Sequence, residues 1–285
     1  MKYYLTGITF SMLWASASIA GKYGLKSVEP LLLFDIRFLT AGIILLTISH
    51  GINKERMPIG KEWKQLIIFG LFNTSLYLGI FIIALQYITA GITALAIALN
   101  PILISIMSSI INKRKTAVNE WISIGLGMTG VAVATYPLLS ETNFSLTGMG
   151  LLILSMFTYS YGSVFYSSVK WELARLTING WQVFVGGLLL IPFTIFFYKG
   201  NNTFDFNLWA SLAWLIVPVS IISIQLWLRL LRADAVKASL WLFLCPVFGL
   251  TFSTILLKEP FTYYTLIGAI MVMGALYIGQ RNLSK

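Results

Sequence analysis

Apolar residues run along this 285-residue chain in long stretches, with polar residues collected in short clusters between them. Ten stretches can be marked off, at 4–21, 30–49, 65–84, 88–111, 121–137, 148–169, 178–198, 209–228, 234–257 and 262–279. Each is close to the roughly 20 residues an α-helix needs to cross the hydrocarbon of a bilayer. The pattern predicts an all-α integral membrane protein of ten transmembrane helices. The gap at 85–87 is so short that the third and fourth helices must form a tight hairpin.

Composition agrees. The chain is 58% hydrophobic and 11% charged, against about 45–50% and about 25% in soluble domains. Ten crossings would use about 200 residues, leaving no room for a soluble catalytic domain, so function must sit within or between the spans. One Cys (Cys245, in an apolar run), one His (His50, expected in a loop) and ten carboxylates leave little for metal ligation or a disulfide framework. No catalytic residue, metal or cofactor is expected.

The +10 net charge would suggest nucleic acid if the charges were scattered. They are sorted instead. Numbering the loops puts 15 basic residues on one side and four, Lys22, Lys26, Lys199 and Lys258, on the other, with Arg37 inside the second span. Positive-inside counting then places both termini in the cytoplasm of a cell-membrane protein, with lipid as partner and no nucleic acid. The first span, with Lys2 and the small residues 15–20, resembles a signal peptide. The repeat described next requires it as a retained helix.

Sliding the sequence by 145 residues without gaps lays the first five spans on the last five. Pro101 falls on Pro246, Gly42 on Gly187, Ser75 on Ser220, Ala90 on Ala235, Lys113 on Lys258 and Arg37 on Gln182. Two halves follow, 1–140 and 141–285. Five is odd, so the second half enters the membrane from the opposite side, an inverted repeat of the kind secondary transporters use for alternating access. A proline inside a helix removes a backbone hydrogen bond. Matched interruptions at Pro101 and Pro246 therefore mark hinges beside a central site.

Polar and aromatic side chains at membrane depth supply candidates for that site. Ser11, Trp14, Ser18 and Lys22 share a face of the first span, and Ser155, Tyr159, Ser163 and Tyr166 form the corresponding stripe in the sixth. Tyr159 stands at the 145-residue offset from Trp14. Asn73 and Tyr77 in span three, Asn100 in span four, Gln182 in span seven, Gln225 in span eight and Trp241 in span nine complete the expected cavity. Arg37 and Asp35 are the ionisable residues well inside a span, where charge is costly and function is the default reading. Two residues apart, they point in different directions. Asp35 is the candidate for proton coupling and Arg37 for a substrate carboxylate. Aromatics at span ends, Tyr3, Tyr4, Trp63, Trp121, Trp171, Tyr198, Trp209, Tyr263 and Tyr264, read as interfacial anchors.

Several of these runs resemble the drug/metabolite transporter superfamily, EamA-type permeases. They are Leu13-Trp14-Ala15-Ser16, Arg37-Phe38-Leu39-Thr40-Ala41-Gly42, Asn100-Pro101-Ile102-Leu103, Cys245-Pro246-Val247-Phe248, Lys258-Glu259-Pro260, and Gly268 with Gly274. The first half departs from the pattern, carrying Arg114 where an acidic residue is expected after span four. The resemblance implies a cavity lined by spans one to four and six to nine, with five and ten peripheral, and export or exchange of small metabolites. The aromatic supply favours an amino acid as cargo. A nucleotide-sugar, sugar phosphate or drug-like compound is the alternative, and a passive channel a remote one. A monomer or weak homodimer is expected.

Overall fold

Each of the ten apolar stretches forms a helix in the computed structural model, which describes residues 2–88, 90–139, 145–200, 202–257 and 262–281. These are α1 (Lys2–Gly24), α2 (Pro30–Ile52), α3 (Lys61–Leu85) and α4, in two pieces, Ala90–Ile97 and Asn100–Ile111. Then follow α5 (Val118–Leu139), α6 (Leu146–Ser168), α7 (Arg175–Phe196) and α8 (Phe206–Ala233). Last are α9 (235–257) and α10 (Tyr263–Gln280). No strand occurs among the described residues. Eight of these helices are long and apolar enough to cross a membrane. The other two, α1 and α5, have 23 and 22 residues. Lys258, Glu259 and Pro260 lie outside the described residues.

The helix interruptions carry most of the structural information. α3 loosens into a π-helix at Leu71–Leu76 and α8 at Leu215–Ser223, around Pro218. α2 ends in a π-helix at Thr47–Ile52, which places His50 inside a helical end rather than in the loop expected for it. α4 breaks into a turn at 98–99, just before Asn100 and Pro101. α9 tightens into a 3-10 turn at Trp241–Phe243, three residues before Pro246. Such irregular turns are tolerated at membrane depth only where protein or a wet cavity satisfies the backbone, and they concentrate at functional places.

Lipid tails are as apolar as leucine, so close backbone approach and hydrogen bonds hold the bundle together. α2 packs along α7 and α5 along α10. α6 packs on α3 and α4, and α1 on α8 and α9. Glycines permit the closest approaches. A Cβ on Gly42 would lie 2.6 Å from Phe184 Cβ, and one on Gly187 3.1 Å from Leu39 Cδ2. Gly268 abuts the Gly130 carbonyl and Ala134, and Gly279 abuts Ser123 and Leu240.

The loops gather at two ends. At one, contacts link Arg56 to Glu172 (3.6 Å), Arg232 to the Leu173 carbonyl (3.3 Å), Arg114 to Asp234 (2.7 Å) and Gln280 to the Lys237 carbonyl (2.9 Å). At the other, the Ser27 hydroxyl donates to Asp205 (2.6 Å), the Glu29 amide to Asn202 (2.8 Å) and the Lys199 amide to Glu29 (2.9 Å). The first is the end where the sequence concentrates its basic residues.

Candidate substrate site

At the centre of the bundle five aromatic rings meet from four helices. Tyr159 of α6 lies 4.8 Å from Tyr77 of α3, 6.1 Å from Trp227 of α8 and 6.4 Å from Trp14 of α1, between ring centroids. Phe10 stacks on Trp227 at 4.8 Å and leans on Trp14 at 6.0 Å. Trp14 and Tyr159, paired by the 145-residue register, thus face each other. The Tyr159 hydroxyl and the Trp227 indole N–H are buried without a hydrogen-bond partner among the described residues. Cys245 of α9 lies within electrostatic range of both tyrosines.

Arg37 approaches this cluster from α2. Its side chain is 4% exposed, its Nε donates to Ser220 Oγ at 2.8 Å, and its guanidinium lies 5.5 Å from the Phe34 ring and 5.1 Å from the Phe38 ring. Among the described residues it has no carboxylate partner. Tyr77 lies within its electrostatic range. The π-helix of α8 supplies Ser220, whose carbonyl accepts from the Asn179 amide at 3.0 Å. Asn179 Oδ1 accepts from Gln182 (3.2 Å), and Gln182 Oε1 accepts from Thr74 (2.9 Å) and Asn73 (3.3 Å), both in the π-helix of α3. Arg37 and Asn73 are therefore ends of one polar chain that runs through Gln182 and crosses α2, α8, α7 and α3.

The remaining predicted residues take other places. Asn100 sits between α4 and α6, accepting from Ser160 (3.0 Å) and donating to Met156 sulfur (3.3 Å). Asp35 accepts from Thr194 of α7 and leaves its other oxygen buried without a partner. It points to a different helix from Arg37. The Gln225 amide donates to the Arg175 carbonyl at 3.1 Å, beside the basic end. Trp241 lies flat against Gly7 of α1, its carbonyl accepts from Ser11 (2.7 Å), and the Tyr3 ring is 6.2 Å away. Neither Gln225 nor Trp241 is among the rings around Tyr159. Trp227 is, and sequence reasoning passed over it. Its signal was the amphipathic last turns of α8, where Gln225, Arg229 and Arg232 take one face and Ile224, Trp227, Leu228 and Leu231 the other.

Two cavities flank the centre. One of about 420 Å³ opens at the basic end, between Ser108, Asn112, Ser167, Arg114, Arg232 and Asp234. Arg114 grips Glu120 through two bonds of 2.6 Å and Asp234 at 2.7 Å, and the Glu120 contact first, then Asp234, pushes its pKa further up. It joins the α4–α5 loop to the start of α9. The other cavity, about 630 Å³, is an apolar groove on the flank between α1, α8 and α9, lined by Met12, Tyr23, Trp214, Phe252 and Leu256.

The sequence profile of the EamA-like transporter family matches residues 1–136 and 146–279. This chain belongs to that family. The transporter is also similar to Protein PecM of Dickeya dadantii, at 26% identity over 94% of this chain and 88% of the relative. An uncharacterized transporter of Synechocystis sp. is 24% identical over 99% of this chain and 91% of its own length. A solved crystal structure superposes with a TM-score of 0.83 over 100% of this chain and 99% of that one, at 16% identity, which speaks to the fold alone. The EamA-like chain is a multi-pass membrane transporter.

Proposed function

We propose that this transporter is a secondary carrier moving an amino acid with an apolar or aromatic side chain across the cell membrane. Alternating access would carry the cargo through the Tyr159 cluster. The halves 1–140 and 141–285 form an inverted repeat in this reading, with both termini cytoplasmic. The observation that carries it is the meeting of Trp14 with its repeat partner Tyr159, beside Tyr77, Trp227 and one buried guanidinium. Such a site offers aromatic faces for an apolar body and a single fixed charge for a polar head.

Reciprocal packing supports the repeat. The 145-residue shift converts the Gly42–Phe184 contact into Gly187–Leu39, and Gly268–Ala134 into Ser123–Gly279; all four contacts are present. It moves the π-helix Leu71–Leu76 inside the π-helix Leu215–Ser223. The packing of α6 on α3 and α4 becomes that of α1 on α8 and α9.

The test is counterflow in proteoliposomes of purified protein against an amino-acid panel and a sugar-phosphate control. Saturable uptake stimulated by internal amino acid is expected. Exchange of sugar phosphate with none of any amino acid would sink the proposed cargo, and flux without counter-substrate stimulation would sink the carrier mechanism.

A further inference from the structure

We propose that Arg37 is the counter-ion for a monocarboxylate carried by the cargo, whose apolar body lies against the Tyr159 cluster. This rests on reading the Tyr159 cluster as the transport site, and it assigns the cargo's charged end to a residue. The argument begins with an imbalance. A buried cation is ordinarily paired, because an unpaired charge in a low-dielectric interior forfeits its hydration. Arg37 is 4% exposed, yet among the described residues no carboxylate pairs with it, and Asp35, two residues away, turns to Thr194. Its Nε is held by Ser220, and the Phe34 and Phe38 rings fix the plane of the guanidinium. Among the described residues neither Nη donates a hydrogen bond. The fork is oriented and unfilled.

Other buried polar groups of the bundle are unfilled as well. Tyr159 and Trp227, 3% and 1% exposed, each bury a donor with no partner among the described residues. Asn73 gives its amide to Gln182 but leaves Oδ1 buried and unpartnered. Its backbone and Cβ press against Gly162, one helical turn along α6 from Tyr159. Arg37 lies within electrostatic range of Tyr77, whose ring is 4.8 Å from that of Tyr159, so the oriented fork borders the aromatic wall against which an apolar body would lie. Charge separates the candidate anions. One guanidinium neutralises one carboxylate, which a planar fork can grip bidentately. A phosphate dianion would leave excess negative charge among aromatic rings. The cargo class is therefore a compact monocarboxylate with an apolar body, either zwitterionic or lacking its amino group.

The test uses the full-length protein in proteoliposomes, with binding read by tryptophan fluorescence and transport by counterflow. The probes share one body: L-phenylalanine, 3-phenylpropionate, L-phenylalaninamide and phenethylamine, with glucose 6-phosphate as the dianion. The two carboxylates are expected to bind, and the amide and amine about a hundredfold more weakly, the scale of losing one partner of a buried charge pair. Arg37→Gln should lose carboxylate binding to a similar degree, while Arg37→Lys, checked for an unchanged elution profile, should retain most of it. The wild-type ligand series stands even if Arg37→Gln fails to fold. Three results would overturn the assignment: amide or amine binding as tightly as phenylalanine, full carboxylate affinity in Arg37→Gln, or no binding of either carboxylate. Amino-acid exchange that persists at the wild-type rate in Arg37→Gln removes Arg37 and leaves the transport reading intact. Arg37-dependent exchange of 3-phenylpropionate without phenylalanine keeps Arg37 and removes the amino-acid cargo.

Discussion

The α2–α7 contact makes a quantitative prediction about single methyl groups. Gly42 meets α7 at its backbone: a Cβ there would lie 2.6 Å from Phe184 Cβ, 2.8 Å from Phe184 Cα and 3.0 Å from Phe184 N. Backbone cannot step aside, so Gly42→Ala must part the helices. Overpacking of this kind costs about 1–3 kcal/mol, against which a helical glycine-to-alanine change returns about 1 kcal/mol. Gly187 meets Leu39 Cδ2 at 3.1 Å and Phe38 Cβ at 3.2 Å, contacts in which the leucine tip can rotate, so Gly187→Ala should cost less. Gly125 of α5 has nothing within 4 Å of a built Cβ, so Gly125→Ala should be neutral or stabilising. The expected order of stability is Gly125→Ala at or above wild type, then Gly187→Ala, then Gly42→Ala. Thermal unfolding in detergent reads it, at about 2–4 °C per kcal/mol for large domains. A Gly42→Ala protein as stable as Gly125→Ala would refute the close approach of α2 and α7.

Three further outcomes follow from the same contacts. Ser160→Ala leaves the buried Asn100 oxygen without its donor and should cost about 1 kcal/mol, the scale of a hydrogen bond between membrane helices, read by chemical unfolding. Asp234 caps α9 by accepting from the Lys237 amide at 3.0 Å and also holds Arg114. Asp234→Ala should therefore lose about 1–2 kcal/mol and Asp234→Asn less, since an amide oxygen still caps, with added salt narrowing the gap from wild type for both and leaving the capping loss in Ala. The Ser27 hydroxyl first, then the Leu208 amide, holds the Asp205 carboxyl below the usual aspartate range. A depressed folded pKa gives stability that is present above the unfolded value of about 4 and is lost as pH falls through the folded one. Wild type should lose that contribution on acidification below about pH 4, and Asp205→Asn should not, as measured by melting temperature against pH.

The helices were legible in the sequence because lipid leaves the chain few choices: each apolar stretch of helix length becomes a helix. The offset of 145 pairs Trp14 with Tyr159 in the sequence, and their rings lie 6.4 Å apart. What escaped was local. Asn73-Thr74-Ser75 carries no proline or glycine to announce a π-helix, yet that loosening lets Thr74 and Asn73 both reach Gln182. Trp227 escaped because Gln225 stands out as the polar residue of span eight, while the indole sits on the apolar face of the same amphipathic segment. Gln225, on the polar face of that segment, bonds the Arg175 carbonyl. Trp241 is expected as a wall residue, but it lies toward the basic end, where Gly7 opposite it leaves a hollow that the indole fills. Depth can be read from hydropathy; which face of a neighbour is hollow depends on packing between distant segments.

That hollow bears on how the proposed carrier would move. At the basic end α1 and α9 are locked: the Trp241 indole lies against Gly7, Ser11 donates to the Trp241 carbonyl at 2.7 Å, and the Tyr4 ring is 6.1 Å away. Toward the other end α1 and α9 border the apolar groove of about 630 Å³ through Met12, Phe252 and Leu256. An alternating cycle has to undo the lock. Gly7→Ala should begin to do so, because a Cβ would fall within the indole and the ring must swing away. The clash costs about 1–3 kcal/mol in the locked state alone, enough to raise the open population about tenfold if the open state is unaffected. The chain supplies its own reporter, since its single cysteine, Cys245, is buried within electrostatic range of Tyr77 and Tyr159. Gly7→Ala should speed alkylation of Cys245 by a membrane-impermeant maleimide presented from the side of the basic end, and slow it from the opposite side. Faster alkylation from both sides would mean that the bundle had loosened rather than alternated, and an unchanged rate would mean that Trp241 and Gly7 hold nothing shut.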